Sequence, residues 1–525
     1  MTTRSISPHA PRHSGRRDGQ AGTRYTARRA SDDTADRSRV ALSGALLGLS
    51  MLAGLLGSMR WVHPAWSVLA LGNYIWLCIL FFRIEPRGMI LALPHLISRA
   101  STMVALSMIE FGGEMFELGT VGRPGPWSNA MNVYTLLFCL GLVAGFKPVM
   151  RWLDRRQGGA LPPVFDRFAN LIAAMVIGLV ALIAMAMIVR GLQYGFPLLA
   201  GIDRFHFRRF AADKVTLYAL NLKFVIGYAL GFVAFVLPAA RRLRLGAGVL
   251  FAAMIVLYFL FGDKFFTQLA ALASFAAPYL YRNHRLVRRR IAAFLVGTSL
   301  ALSTVMVVTL YIYSQGFTQT SAATTKRLTG RMVGQGELWY LQASIGAPLL
   351  TWDAPLIDRY AASLSVKQIE LFALNNSIGP NYFSNRYAPD YLRASLHRNA
   401  GTVTYTAATE PMGLVLFGWL GLGALMFLVG AVAGLSSGYI AYAIANRSIV
   451  SGLFAAYVYV QLRTTLAQAA PWVIASIYSM RWLGIILVIE LALALLGQSA
   501  RSHGRGKRLR AHLRRAPQPV PERLV

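Results

Sequence analysis

The residues of this chain that could do chemistry are mainly arginines, aromatics and a few carboxylates, and they gather in three places. The first is the polar string RGLQYGFPLLAGIDRFHFRRFAADK at residues 190–214, where Arg204 and Arg208 are spaced four apart, with Arg209 adjoining. That spacing puts Arg204 and Arg208 on one face of a short helix. Two convergent guanidiniums suit a phosphate or pyrophosphate, which arginine grips through a planar fork. The same pattern also fits an interfacial amphipathic helix with a solvated arginine face.

The second place is the polar stretch 314–410, 97 residues with eight Lys/Arg and six Asp/Glu. Its Gly-punctuated string GRMVGQGELWYLQ carries Arg331, Glu337 and Trp339. A surface helix is predicted over 355–375, with Leu356, Tyr360, Leu364 and Leu371 at helical spacing as packing positions. Further on, NNSIGPNYFSNRYAPDYLRASLHRNAGTVTYTAATEP is dense in Asn, Tyr and Arg. Planar amide and guanidinium donors suit sugar hydroxyls. Tyr382, Phe383, Tyr387 and Tyr391 offer faces on which a pyranose could stack, with Arg393 beside them. The alternative for these tyrosines is an interfacial aromatic belt. Glu337, His397 and Glu410 are the candidate proton acceptors for a hydroxyl.

The third group lies inside apolar runs, where an ionisable side chain is costly and therefore a functional hypothesis. Arg463, Lys223 and Glu490 all fall in the outer halves of their runs, which points to a polar cavity opening outward. Arg99 lies nearer the inner end of its run and is expected to snorkel to the interface. The nine histidines show neither HxxxH nor HExxH spacing, and neither a Walker loop nor a GxSxG elbow is present. A metal site, cytosolic ATP chemistry and triad hydrolysis are thus poorly supported, and no cofactor is expected.

The elements that must position these residues are membrane helices. The chain is 55% hydrophobic and 14% charged, with a mean hydropathy of +0.48. Its repeated apolar runs match the roughly 20 residues a helix needs to cross about 30 Å of hydrocarbon. Spans are expected near 41–58, 66–82, 89–109, 131–147, 168–189, 215–237, 246–262, 265–281, 291–313, 411–434, 449–468 and 482–498. The predicted class is an all-α integral membrane protein of about twelve transmembrane helices, with one large extracytoplasmic loop between helices 9 and 10. Residues 1–40 read as a disordered basic cytoplasmic tail and 499–525 as a second basic cytoplasmic tail. Between them lie helices 1–9 at 41–313 with the smaller outer loop 190–214, the large loop 314–410, and helices 10–12 at 411–498. Cys78 and Cys139 fall inside spans and read as packing thiols.

The net charge of +32 is a topology signal rather than a nucleic-acid footprint. With both termini cytoplasmic, inside segments hold 33 Lys/Arg and outside segments 17, and 13 of those 17 sit in the two polar loops. Long loops translocate regardless of charge, which could account for the excess; the functional reading is an anion-binding surface on the outer face.

This layout resembles the Wzy-type polymerases of bacterial polysaccharides, the O-antigen or oligosaccharide repeat-unit polymerases. The resemblance rests on GFPLLAGIDRFHFRR (Gly195–Arg209), EPMGLVLFGWLGLG (Glu410–Gly423) and YVQLRTTLAQ around Arg463, with GRMVGQGELWY as a subgroup feature. It covers roughly residues 170–490 and is architectural more than motif-exact. It implies metal-independent glycosyl transfer at the outer face of a bacterial cytoplasmic membrane, with an undecaprenyl-pyrophosphate-linked glycan as substrate. A chain-length regulator and a flippase would be partners, alongside the bilayer, and nucleic acid would not. Arg204, Arg208, Arg331 and Arg463 would stabilise the leaving pyrophosphate. Glu410, Glu337 or His397 would take the acceptor's proton. Lys223 and Arg209 would line the same substrate region, and Tyr382, Tyr387 and Arg393 the glycan surface. Rival readings are an O-antigen ligase and a transporter or flippase of lipid-linked sugars. The first outer loop, Arg60–Ala65, has no acidic residue, which argues against lipid-sugar glycosyltransferases that place a catalytic carboxylate there.

Overall fold

The computed structural model describes residues 18–115, 120–156, 168–202, 204–263, 265–290, 329–330, 332–364, 378–390, 393–394, 408–476 and 479–492, with a few isolated positions between 293 and 495. By contact density the chain divides into Met1–Ser50 and Met51–Val525. The described residues form helices and no strand, apart from one isolated bridge between Glu114 and Val121.

In chain order the helices are α1 (Asp18–Arg60), α2 (Ala65–Ile84), α3 (Pro86–Leu91), α4 (Leu93–Glu110), α5 (Trp127–Arg156) and α6 (Ala169–Tyr194). There follow α7 (Arg204–Phe210), α8 (Lys214–Asn221), α9 (Lys223–Phe235), α10 (Arg241–Leu260), α11 (Phe265–Arg282) and α12 (His284–Arg289). The last six are α13 (Glu337–Ile345), α14 (Ala354–Ser363), α15 (Pro380–Tyr387), α16 (Thr409–Ala445), α17 (Ile449–Gln468) and α18 (Trp472–Ala475). Residues 479–492 are also helical.

Among the described residues seven helices are long and apolar enough to cross a membrane: α2, α5, α6, α10, α16, α17 and the Ser38–Arg60 part of α1. The count is eight if α8 and α9, which meet at 71°, form one broken span. This is a helical membrane protein. The expected span at 291–313 and the tail 499–525 lie largely or wholly outside the described residues. The stretch expected at 89–109 is two pieces: Pro94 follows the break at Ala92 that separates α3 from α4. Within the expected tail 1–40, α1 begins at Asp18.

Close backbone approach holds the centre. Gly141 and Gly145 on α5 face Gly430 and Gly434 on α16, and each glycine lies where a Cβ would come within 2.0–2.2 Å of the partner helix's carbonyl oxygens. Lipid tails are as apolar as leucine, so helices in a bilayer associate through such small-residue seams rather than through hydrophobic expulsion. Beyond that seam α16 breaks at Gly418, where φ is 71° and ψ −172°. The break strands backbone groups that would otherwise pair along the helix, and segment 348–353 satisfies them. Thr351 N and Asp353 N donate to the carbonyls of Phe417 (3.2 Å) and Leu416 (3.1 Å), and Trp419 N and Leu420 N donate to those of Pro348 (3.2 Å) and Leu349 (2.9 Å). The break is thereby clamped at a defined bend.

The described parts of the long polar stretch pack rather than stand free. Leu338, Leu356, Ile378, Phe383 and Ala388 form a core with Ala408, Met412 and Leu416 at the start of α16. Tyr360 ties this core to the end of α17 by donating to Ala469 O (3.2 Å), and accepts from Gly379 N (3.0 Å). Leu356 is buried and Tyr360 packs against this core, in agreement with their predicted packing roles, whereas Leu364 is 54% exposed because α14 ends at Ser363, and Leu371 lies outside the described residues.

Candidate functional site

Two clusters of charged side chains are buried where the helices converge. In the first, Arg99 on α4 and Glu410 in the first turn of α16 form an ion pair, Nη2 to Oε1 2.9 Å, with side-chain exposures of 8% and 10%. A carboxylate in the first helical turn also meets the positive end of the helix dipole. The Arg99 guanidinium lies 4.2 Å from the centre of the Phe138 ring. His95, one turn earlier on α4, is held edge-on by Tyr459 of α17 at 5.1 Å between ring centres. Arg463, one turn beyond Tyr459, lies 4.9 Å from the centre of the Phe224 ring. Among the described residues no carboxylate lies within ion-pair distance of Arg463.

His95, Arg99, Phe138, Glu410 and Arg463 line one cavity of about 30 Å³, with Ser98, Thr102, Val429, Leu466 and Ala467 completing its wall. A cavity of that size holds about two waters. Three side chains of this lining carry a nitrogen that is buried without a hydrogen-bond partner among the described residues: Arg99 Nη1, Arg463 Nε and His95 Nε2. Ser98, Arg463, Leu466 and Ala467 on its wall are only half-buried.

The second cluster centres on Asp263, in the turn between α10 and α11. Its Oδ2 accepts from Lys223 Nζ and from Thr267 Oγ1 (3.1 Å), and its Oδ1 pairs with Arg208 Nη2 (3.2 Å). Lys223 stands at the first position of α9, directly after the 71° break, where the helix dipole is unfavourable to a cation. The Asp263 carboxylate offsets that cost. Arg463 packs on Phe224, the residue after Lys223, so the two clusters adjoin as the ends of one electrostatic track. Along it stand four cations (Arg99, Arg208, Lys223 and Arg463) and two anions (Glu410 and Asp263). A net positive interior of this kind attracts an anion.

Of the residues singled out in the sequence, the structure brings together Glu410, Arg463, Lys223 and Arg208. Arg209 is exposed on α7, its guanidinium 5.2 Å from the centre of the Phe210 ring. Arg204 is in the backbone of α7, its side chain outside the described positions, and Arg331 and His397 fall outside the described residues. Glu337 is fully buried at the start of α13 and does not line the cavity. The string around it serves packing: Gly336 sits against Ala105 and Leu106 of α4, and Trp339, 2% exposed, donates from Nε1 to Trp127 O (2.9 Å). Glu490 accepts from Tyr439 (2.6 Å) instead of joining the track.

Tyr382, Arg386 and Tyr387 form a small platform on α15. The Arg386 guanidinium is 5.6 Å from one ring centre and 5.4 Å from the other, and Tyr387 donates to Gln342 Oε1 (3.3 Å). Burial pushes the Tyr387 hydroxyl above its ordinary range, against the opposing pull of Arg386, so it remains a donor. Arg393 donates to Ala388 O (3.1 Å) and reaches Asp390 at 3.7 Å.

Arg99 corrects the sequence reading, for it does not snorkel. The break at Ala92 starts a new helix, so Arg99 sits one to two turns into α4 and turns inward to Glu410. Asp263 and His95 were missed altogether. A usable signal for Asp263 existed, since it is an acid between two apolar runs in a chain with only 21 Asp and Glu. His95 had none, for its role depends on which helix faces α17.

Comparison with known proteins gives one match, to a family of unknown function (DUF6418) over residues 375–486. That segment contains Glu410 and Arg463, whereas His95, Arg99, Arg208, Lys223 and Asp263 precede it. No curated protein and no solved structure matches the chain.

Proposed function

We propose that this protein is a membrane glycosyltransferase that polymerises undecaprenyl-pyrophosphate-linked oligosaccharide repeat units at the outer face of a bacterial cytoplasmic membrane, for surface polysaccharide synthesis. The observation that carries the proposal is Arg463, a guanidinium without a carboxylate partner among the described residues, on the wall of a cavity whose surroundings are net positive. A fixed cation in a low-dielectric interior is what a departing pyrophosphate requires, because it is aligned before the charge develops.

In the reaction, a hydroxyl on the non-reducing end of the new repeat unit attacks the anomeric carbon of the lipid-linked chain. The new glycosidic C–O bond forms as the bond to the pyrophosphate oxygen breaks, and undecaprenyl pyrophosphate leaves with the electron pair. The hydroxyl proton passes to a base, and Glu410 is the carboxylate on the cavity wall. The platform of Tyr382, Arg386 and Tyr387 offers ring faces and donors to the glycan.

The test is Arg463→Ala in a strain that makes the polymer. The reading expects loss of long-chain glycan, accumulation of single repeats and unchanged amounts of the protein. Retained long chains would refute it, and lipid-linked long polymer that fails to reach its final acceptor would instead identify a ligase.

A further inference from the structure

The three orphaned nitrogens on the cavity wall and the ion pair beside them belong together. Arg99 uses Nη2 on Glu410 and leaves Nη1 buried and unpartnered. His95 Nε2 and Arg463 Nε, on the neighbouring turn of α4 and on α17, border the same space and are likewise unpartnered. Both His95 and Arg99 are 7% exposed. A donor buried without an acceptor is costly, so three around one cavity call for an acceptor that the described residues do not provide. A phosphoryl group supplies several acceptor oxygens and a negative charge, and its entry requires the Arg99–Glu410 pair to part, because the cavity as it stands has room for about two waters.

We propose that His95, Arg99 and Arg463 form an oxyanion site for a phosphoryl group, and that the Glu410 carboxylate is its internal competitor. In the ligand-free protein Glu410 occupies one side of the Arg99 fork. An entering phosphoryl group takes over that guanidinium, and Glu410, released from the pair, becomes free to accept a proton. Binding of the anion and arming of the base are thereby one event. Only the choice of a pyrophosphate-linked lipid as the carrier rests on the function proposed above; the oxyanion site itself does not.

The competition gives a sign that an ordinary binding residue would not. A ligand whose competent state is only partly populated binds with apparent affinity reduced by that fraction. Glu410→Gln removes the competitor's charge while keeping its shape, so it tightens anion binding even as it removes the base.

The experiment uses the purified full chain in a phosphate-free maltoside detergent. Binding of inorganic pyrophosphate and, separately, of undecaprenyl pyrophosphate is read by thermal-shift titration and calorimetry. Wild type is expected to bind saturably, Glu410→Gln to bind roughly tenfold or more tightly, and Arg463→Gln to lose saturable binding. Arg463 has no ion-pair partner to orphan among the described residues, so that variant remains informative if Glu410→Gln does not fold. Equal or weaker binding by folded Glu410→Gln, or retained binding by Arg463→Gln, overturns the proposal. Binding of the lipid form alone makes the lipid headgroup the source, and equal binding of both makes it the shared pyrophosphate chemistry. Intact polymer synthesis by Arg463→Ala together with Arg463-dependent binding would refute the glycan reading and leave this site standing.

Discussion

Replacing Arg99 or Glu410 one at a time should be far more damaging than replacing both. The pair is a single contact of 2.9 Å between side chains 8% and 10% exposed. At about 4 Å between charge centres and an effective dielectric near 20, the attraction is about 4 kcal/mol. It is set against several kcal/mol of desolvation for each ion. Arg99→Met leaves a buried carboxylate alone, and Glu410→Met leaves a guanidinium whose Nη1 already lacks a partner. Each single variant should therefore lose about 3–5 kcal/mol. The double variant buries two apolar side chains in the same volume and should lose no more than about 2 kcal/mol, a coupling of at least about 4 kcal/mol. The assay is reversible unfolding in mixed micelles, titrating dodecyl sulfate into the detergent-solubilised protein and following helix content. Single losses below about 1 kcal/mol that simply add would refute the reasoning, because they describe a solvated pair.

Asp263→Ala removes the acceptor shared by Lys223, Arg208 and Thr267, whereas Lys223→Met leaves Asp263 paired with Arg208. Thermal melts should rank Asp263→Ala below Lys223→Met, by about 1–3 kcal/mol, and a reversed order would mean that Asp263 is not the hub. Gly434→Leu places a side chain on Leu142 O, 2.2 Å from the ideal Cβ, and should abolish folded, monodisperse protein. Gly246→Ala, with nothing within 4 Å, should leave it intact, as size-exclusion chromatography would show.

The helical membrane class was legible in the sequence because hydrocarbon imposes a length and a composition that apolar runs display directly. The starts of α16 and α17 also follow from pattern: Pro411 stands in the first turn of one, and Ser448 caps the other by accepting from Ser451 N (3.3 Å). Two features were not readable. Gly418 looks like any glycine in an apolar run, and only its partner segment 348–353 distinguishes a clamped break from an ordinary helical position. Arg463 and Lys223 could be singled out as charges in lipid-length runs, but what pairs with Lys223 and what leaves Arg463 unpaired depends on three-dimensional neighbours. The GRMVGQGELWY string misled for a related reason. A Gly-rich motif with Trp and Glu suggests a site, and the same composition serves a helix end packed tightly on α4.

The central claim is that the positive interior around Arg463 handles a pyrophosphate-linked lipid glycan. Its most direct test is reconstitution of the purified chain in liposomes with undecaprenyl-pyrophosphate-linked repeat units and excess EDTA, followed by gel separation of the products. A ladder of two and more repeats with release of undecaprenyl pyrophosphate is expected, and no ladder with Arg463→Ala. Repeat units that stay single with the wild-type protein, or a ladder undiminished in the variant, would contradict it.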